Sequence, residues 1–452
     1  MSEAGPSRPE GAAGAREPGG QEHGGLKRVL TPLHLWAIAV GLVISGDYFG
    51  WNYGVGKGGP MGMVVATLVV TLMYVTFIFS YTELSTAIPQ SGGPFAYARA
   101  ALGPFGGFVA GFGTLVEFVF APPAIALAIG SYVNFRVPEL PKLGVALAAF
   151  VVFGLLNVLG VKLAATFELI VTALAALELG IFFFLTAPHV DTTRIVTEPL
   201  FPHGAFGVFT ALPFAIWFYL ALEGVAMSAE EVVDPKRDIP KGYIAGISTL
   251  VVLALGTLLC STGILTPQEL IEDDSPLPRV LRTVLSADHP MTHLMVYLGL
   301  FGLIASFHGI MMGYSRQVYA LARASYLPQL MSRLHPRFKT PAWAVVVPGL
   351  VGAAAALTER SDELITLAGM GAVVLYSTSM VSLFVLRKKQ PQLERPFRAP
   401  AYPVFPAIAL VLAVVFLCAY AVASPLVFAL FLGLFGVGAL HFQLVTRPRL
   451  AP

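Results

Sequence analysis

The chain has 452 residues, of which 56% are hydrophobic and 12% charged, about half the ~25% charged share of a soluble domain. That excludes a disordered protein and argues against a soluble enzyme, whose surface needs more charge than 28 basic and 26 acidic side chains supply. A net charge of +2 gives no basic character of the kind nucleic acid requires, so no nucleic-acid partner is expected and the lipid bilayer is.

Residues 1–28 are rich in Gly, Ala, Glu and Pro and hold no apolar block. They are expected to form a disordered cytoplasmic tail, without the apolar core of a secretory signal. Residues 29–446 read as a single transmembrane domain, followed by a short cytoplasmic tail over 447–452. Stretches long enough to cross a ~30 Å hydrocarbon core fall near 33–56, 61–84, 105–134, 143–161, 164–187, 207–230, 242–265, 291–322, 341–358, 363–386, 403–422 and 425–445. Helices are the expected element, because lipid offers an open strand no hydrogen-bond partner. The sequence therefore predicts an all-α integral membrane protein with 12 transmembrane helices. With the N-terminus inside, 21 of the 28 Lys and Arg fall on cytoplasmic segments, which predicts both termini in the cytoplasm.

A carboxylate at the bilayer centre costs about 2.5–3.5 kcal/mol on insertion scales, so each one needs a reason. Asp47, Glu117, Glu178 and Glu223 are the central candidates, and Glu83 and Glu168 lie nearer span ends where water could reach. Asp47 sits in Ser45-Gly46-Asp47-Tyr48-Phe49-Gly50, a helix-poor run of the kind that exposes backbone groups at mid-membrane. An anion there attracts a cationic ligand, and it can equally cap a half-helix. Glu223 follows Trp217, Phe218 and Tyr219 and precedes Gly224, repeating the pattern of the first span. It reads as a counter-ion, a protonatable gate or a helix–helix hydrogen bond. Glu117, ahead of Pro122 and Pro123, reads equally as pocket lining or structural pairing, and Glu178 more as pairing.

No Lys or Arg inside the spans is placed to neutralise these acids; Lys57 sits towards a span end. Uncompensated acids among aromatics suggest a site that wants a cation. Tyr48, Phe49, Trp51, Trp217, Phe218 and Tyr219 could face an ammonium at about 0.5–2 kcal/mol per contact, against packing as the plain alternative. In the eighth span His293 and His308 read as structural, with Ser306 near the middle. Gly54 to Gly59 satisfies G-x-G-x-x-G but follows no strand, so a dinucleotide site fails its context. Gly103, Gly107 and Gly111 read as a helix-packing face. Cys260 and Cys418 read as small buried apolar residues. No metal or other cofactor and no catalytic constellation is expected.

Three stretches resemble the amino acid–polyamine–organocation transporter superfamily: YTELSTAIPQSGGPFAYARAALG from Tyr81, IWFYLALEGVAMSAEEVVDPKRDIPKG from Ile216, and YSRQVYALARASYLP from Tyr314 with LHPRFKTP from Leu334. The resemblance implies a five-plus-five inverted repeat, with broken helices 1 and 6 meeting at a midplane site. One repeat would cover about 33–187 and the other about 207–386, plus two C-terminal helices over 403–445. It also implies carriage of amino acids or amines by alternating access. Amino acid carriers resemble G-S-G-I-F at the first break, whereas Asp47 here replaces the apolar residue after the glycine. Its charge would repel a substrate carboxylate. The run SGDYFGWNYG, from Ser45, resembles the ethanolamine permease branch.

The resulting expectation is a secondary transporter, not an enzyme, that imports ethanolamine or a similar small primary amine across a bacterial inner membrane. Asp47 would bind the ammonium, with Ser45, Gly46, Tyr48, Trp217, Phe218 and Tyr219 completing the pocket and Glu117 or Ser306 meeting the hydroxyl. The resemblance implies a gating or proton-sensing role for Glu223. Glu178 lies one turn beyond Ala175, which stands where some proton-coupled members hold a lysine, so coupling to protons, to sodium or to neither stays open. An amino acid permease or exchanger of the same fold is the nearest rival, and a membrane amine sensor is the rival from another class. Oligomeric state has no sequence signal.

Overall fold

The computed structural model describes residues 28–450 apart from Gly160, Asp273, Ala287 and Asp288; the expected disordered tail lies outside the described residues but for Arg28. The protein is all-α. The one pairing of extended backbone among the described residues is a parallel bridge between Leu30 and Val232. Among the described residues ten helices are long and apolar enough to cross a membrane. The other two expected spans are the interrupted first one and the ninth, Ala342–Ala356, which reaches about 22 Å at 1.5 Å per residue.

Breaks in the helices follow local chemistry. The first span runs Pro32–Val43 and Ser45–Tyr48, opened by Thr31 with Pro32 at the first helical position. It then breaks: Phe49 is extended and Gly50 takes φ 92°. Helix resumes at Asn52 and bends at Gly59 (φ 72°), where Pro60 starts the second span, which runs to Ala87. The same glycine–proline device recurs at Gly103 (φ 79°) and Pro104, inside the helix Pro94–Arg136. A left-handed glycine ends one helix and a proline begins the next. The expected packing role of Gly103 is therefore corrected: a Cβ there would meet nothing within 4 Å, whereas Gly107 and Gly111 do pack, against Phe95, Tyr326 and Leu321.

The fourth and fifth spans are Lys142–Leu159 and Val161–Thr186. The sixth is the second broken one: Gly204–Ala215, a 3-10 turn Ile216–Phe218, a gap, and the 3-10 segment Leu222–Glu231. Ala221 closes the gap in the left-handed region at φ 75°, a conformation that costs an L-residue roughly 1–2 kcal/mol. Then come Pro235–Thr262, Pro290–Arg323, the ninth span, Ser361–Lys389, Val404–Ala423 and Pro425–His441.

Close crossings depend on residues without side chains. A Cβ on Gly242 would lie 2.5 Å from Leu35, and one on Gly246 2.6 Å from Ala39, so the seventh span rides on the first half-helix. A Cβ on Gly371 would stand 2.5 Å from the Gly113 carbonyl, so the third and tenth spans touch backbone to backbone. Large apolar side chains such as Val151, Leu155, Phe184, Val252, Leu350 and Val437 are exposed on the outside of the bundle, as a lipid-facing surface requires. Cys260 is buried, but Cys418 is exposed on that surface, contrary to the expectation for it.

Candidate functional site

The two breaks meet. Gly46 presses on the sixth span so closely that a Cβ would stand 2.2 Å from the Trp217 carbonyl oxygen, and a Cβ on Gly50 would stand 2.6 Å from the Trp217 Nε1. The bare glycine backbones make room for Trp217. Aromatic rings join the same two segments: Phe49 meets Trp217 edge to face at 5.6 Å, and Trp51 stacks on Phe218 at 5.8 Å. Trp51 Nε1 donates to the Asp47 carbonyl at 3.1 Å, which satisfies one open carbonyl at the end of the first half-helix.

Asp47 lies in the last turn of that half-helix, two residues before the break rather than within it. It is wholly buried, and neither carboxyl oxygen has a hydrogen-bond donor. The charge that acts on it is a like one, Glu178. Most buried polar groups are satisfied, so two orphaned oxygens on one side chain call for an explanation. Trp217 Nε1 is likewise buried with no acceptor. The crossing of the broken helices thus holds two acceptor atoms and one donor without partners.

The neighbours are already committed. Tyr48 donates to Glu178 Oε2 at 2.6 Å and lies near the Ala175 carbonyl at 3.2 Å, with its ring packed on Gly302. Ser306 Oγ accepts the Ser45 N–H at 2.9 Å and donates to the Gly41 carbonyl at 2.7 Å, so it pins the half-helix. Tyr219 shares a hydrogen bond of 2.6 Å with Thr71. Lys57 is exposed.

Glu117 and Glu223 form a separate cluster. They lie beside one another. Glu223 Oε2 accepts from Tyr376 at 3.1 Å, and Tyr376 shares a bond of 2.8 Å with Tyr74. Neither Glu117 oxygen meets a donor at hydrogen-bond distance, nor does Glu223 Oε1. Tyr243 holds the segment by donating to the Glu223 carbonyl at 2.9 Å and accepting the Ala226 N–H at 3.0 Å. The rings of Tyr74 and Tyr219, 5.2 Å apart, connect this cluster to the crossing. The candidate residues therefore divide in three. Asp47, Ser45, Gly46, Tyr48, Glu178 and Ser306 share the first break, Glu117 and Glu223 stand together, and Trp217, Phe218 and Tyr219 belong to the second break.

Reading the spans one at a time missed three arrangements. Glu83 and Glu168, assigned to water-accessible ends, are both buried. Glu83 is held by Arg387 at 2.8 and 2.5 Å, by Arg395 at 3.1 Å and by the Ala399 N–H at 2.7 Å. Glu231 and Arg316 form a buried two-point ion pair at 2.6 and 2.9 Å. A cavity of about 720 Å³ lies off the crossing, between Gln90, Arg99, Glu230 and Arg323. The crossing itself is enclosed by protein.

Residues 30–439 match the family model described as amino acid permease. The chain is 31% identical to an uncharacterized transporter of Rhizobium meliloti over 90% of this chain and 88% of the relative. It is 27% identical to a branched-chain amino acid permease of Bacillus subtilis, over 85% and 86%. It is 25% identical to a methylthioribose transporter of the same organism, again over 85% and 86%. Two broken helices that meet at a closed, polar crossing are what a carrier needs in order to expose a site to one side at a time. The chain belongs to the amino acid permease family, within the amino acid–polyamine–organocation superfamily of membrane transporters.

Proposed function

We propose that this permease imports ethanolamine or a related small primary amine across a bacterial cell membrane by alternating access, driven by a proton or sodium gradient. The observation that carries the proposal is Asp47, a buried carboxyl with two orphaned oxygens where the broken helices cross. An ammonium brings the donors that those oxygens lack, and the surrounding rings of Phe49, Trp51, Trp217 and Tyr219 suit a cation. Trp217 Nε1, a donor with no acceptor, suits the hydroxyl oxygen of ethanolamine. That assigns the hydroxyl to Trp217 in preference to Ser306, which is bonded on both sides. A substrate carboxylate would face Asp47 with like charge.

The test is uptake of radiolabelled ethanolamine into liposomes that hold the purified protein, with proton and sodium gradients imposed separately and with amino acids as competitors. Accumulation blocked by other small amines supports the proposal. A relative named as a branched-chain amino acid permease favours a second reading, an amino acid permease, which predicts stronger block by alanine or leucine than by ethanolamine. Saturable binding without accumulation would instead identify an amine sensor.

A further inference from the structure

A second buried ionisable pair lies away from the crossing, enclosed by the first, fifth and eighth spans. Glu168 Oε2 and His308 Nδ1 are 2.9 Å apart, and both side chains are wholly buried. Each keeps one polar atom with no partner, Glu168 Oε1 and His308 Nε2. Glu168 Oε1 lies against the backbone of the first half-helix: a Cβ on Gly41 would be 2.1 Å from it, and one on Gly309 2.8 Å. Thr172, one turn further along the fifth span, donates to the Ala37 carbonyl at 3.3 Å and fastens the same contact. Phe153 and Phe167 set their rings edge-on to the imidazole, at 6.4 and 5.2 Å.

This is a poor way to hold helices together. A buried polar atom without a partner is destabilising, and an apolar pair of similar volume would serve packing as well or better. Among the described residues no third His, Cys, Asp or Glu completes a metal-binding set with them. Such a pair can take up one proton. With that proton shared it is neutral; without it the carboxylate and neutral imidazole carry one net negative charge. Enclosed in apolar surroundings, the charged form costs several kcal/mol, and access of water removes most of that cost. The wall that shuts water out is the first half-helix at Gly41, the element that also carries Asp47.

We propose that Glu168 and His308 form the site that couples transport to a proton. The pair is loaded while enclosed. When the first half-helix moves off Glu168, water enters, the proton leaves the pair for that water, and the carboxylate remains solvated until the next proton arrives. Other charged groups near the pair are already engaged. Arg316, two turns along the eighth span and the charge acting on His308, is held at two points by Glu231. Glu178 on the fifth span accepts from Tyr48. Asn157 reaches the His308 carbonyl at 3.4 Å as a neutral donor. On the first half-helix, His34 is bonded to Thr31 at the far end and Asp47 lies in the last turn, at the crossing.

This inference rests on the transport reading, and its test separates the two. Wild type, Glu168→Gln and His308→Gln are compared in liposomes for proton-driven ethanolamine accumulation and for ethanolamine counterflow at equal pH. Both variants are expected to lose proton-driven accumulation by about tenfold or more while counterflow stays within about twofold. Accumulation that still follows the proton gradient in both variants overturns the assignment, as does wild-type uptake driven by sodium alone. Infrared titration of the substrate-free protein adds a readout independent of the substrate. The expected result is a buried carboxyl band that changes with pH, vanishes in Glu168→Gln and shifts in His308→Gln. A spectrum unaltered by either substitution rejects the pair as a proton site. If wild type moves no ethanolamine, the substrate proposal fails, and the infrared result alone decides the proton site.

Discussion

Replacing Asp47 by Asn separates a binding role from a structural one, because the two roles predict opposite signs. The Asp47 carboxyl receives no hydrogen bond from the protein, and the nearby acid acting on it, Glu178, is of like charge. Its removal therefore takes no hydrogen bond from the fold, and the carboxamide carries no charge to bury. Thermal unfolding, followed by tryptophan fluorescence in detergent, is expected at an unchanged or higher temperature. Binding changes the other way. Truncating one partner of a buried, hydrogen-bonded charge pair costs about 2–5 kcal/mol, which is a loss of affinity of roughly 30-fold to about 4,000-fold. Ethanolamine protection against unfolding, measured across a concentration series, reports that loss without needing turnover. A variant that unfolds earlier yet binds ethanolamine as tightly as wild type would show that Asp47 is a structural cap and has no ligand role.

Other substitutions test the elements around it. Gly46→Ala places a Cβ 2.2 Å from the Trp217 carbonyl, where only backbone can yield; a loss of about 1–3 kcal/mol of stability with loss of uptake is expected, and a variant of normal stability and uptake would refute the close contact. Tyr48→Phe leaves Glu178 Oε2 without its donor, so the unfolding temperature should fall by the equivalent of about 1–3 kcal/mol; if Glu178 is a structural partner, pairing Tyr48→Phe with Glu178→Leu recovers most of it. Arg316→Met strands the buried Glu231 carboxylate, at about 3–5 kcal/mol, and the double variant with Glu231→Leu should regain much of that in a double-mutant cycle. Glu223→Gln should leave ethanolamine affinity within about twofold and slow turnover, since Glu223 stands with Glu117 and Tyr376 rather than with Asp47; an affinity loss equal to that of Asp47→Asn would place it in the pocket instead.

Much of the fold was legible because bilayer thickness and glycine–proline chemistry act locally. The division between the first and second spans falls at Gly59-Pro60, between the expected limits of 56 and 61, because a left-handed glycine before a proline ends a helix whatever surrounds it. The loneliness of Asp47 was legible too, since it depends on which residues are missing from the spans. Pairings between distant spans were not. Glu168 and His308 are 140 residues apart in the chain, and nothing in either span's hydropathy marks the other. Glu168 reads as water-accessible because it is two turns from the start of its helix, yet Gly41 and Gly309 cover it. Ser306 is expected to meet a substrate hydroxyl, whereas its double bond to the first half-helix depends on a crossing that no single segment encodes.

Apart from Glu178, which accepts from Tyr48, the buried acids of the spans described above fall into two kinds. Glu83 and Glu231 are satisfied by arginines at short distance. Both lie within about a turn of where the second and sixth spans end, on the side that the distribution of Lys and Arg assigns to the cytoplasm. Asp47 and Glu117 with Glu223 lie by the two breaks, Glu168 with His308 lies away from them against Gly41, and each of the three keeps at least one carboxyl oxygen without a donor. A protein base at those depths would neutralise the site permanently and leave no place for a guest cation. The arginines at the ends tie spans together, and the interior acids have no such partner. The segment that ends at Glu231 is also tied to the first half-helix, since its backbone carbonyl accepts the Val29 and Leu30 N–H groups just before it. Substituting Leu30 by Pro removes one of those two donors and the bridge to Val232 without touching any acid, and it should raise substrate leakage in counterflow while leaving the affinity for ethanolamine unchanged; equal leakage from wild type and variant would mean that this strap takes no part in closing the inner side.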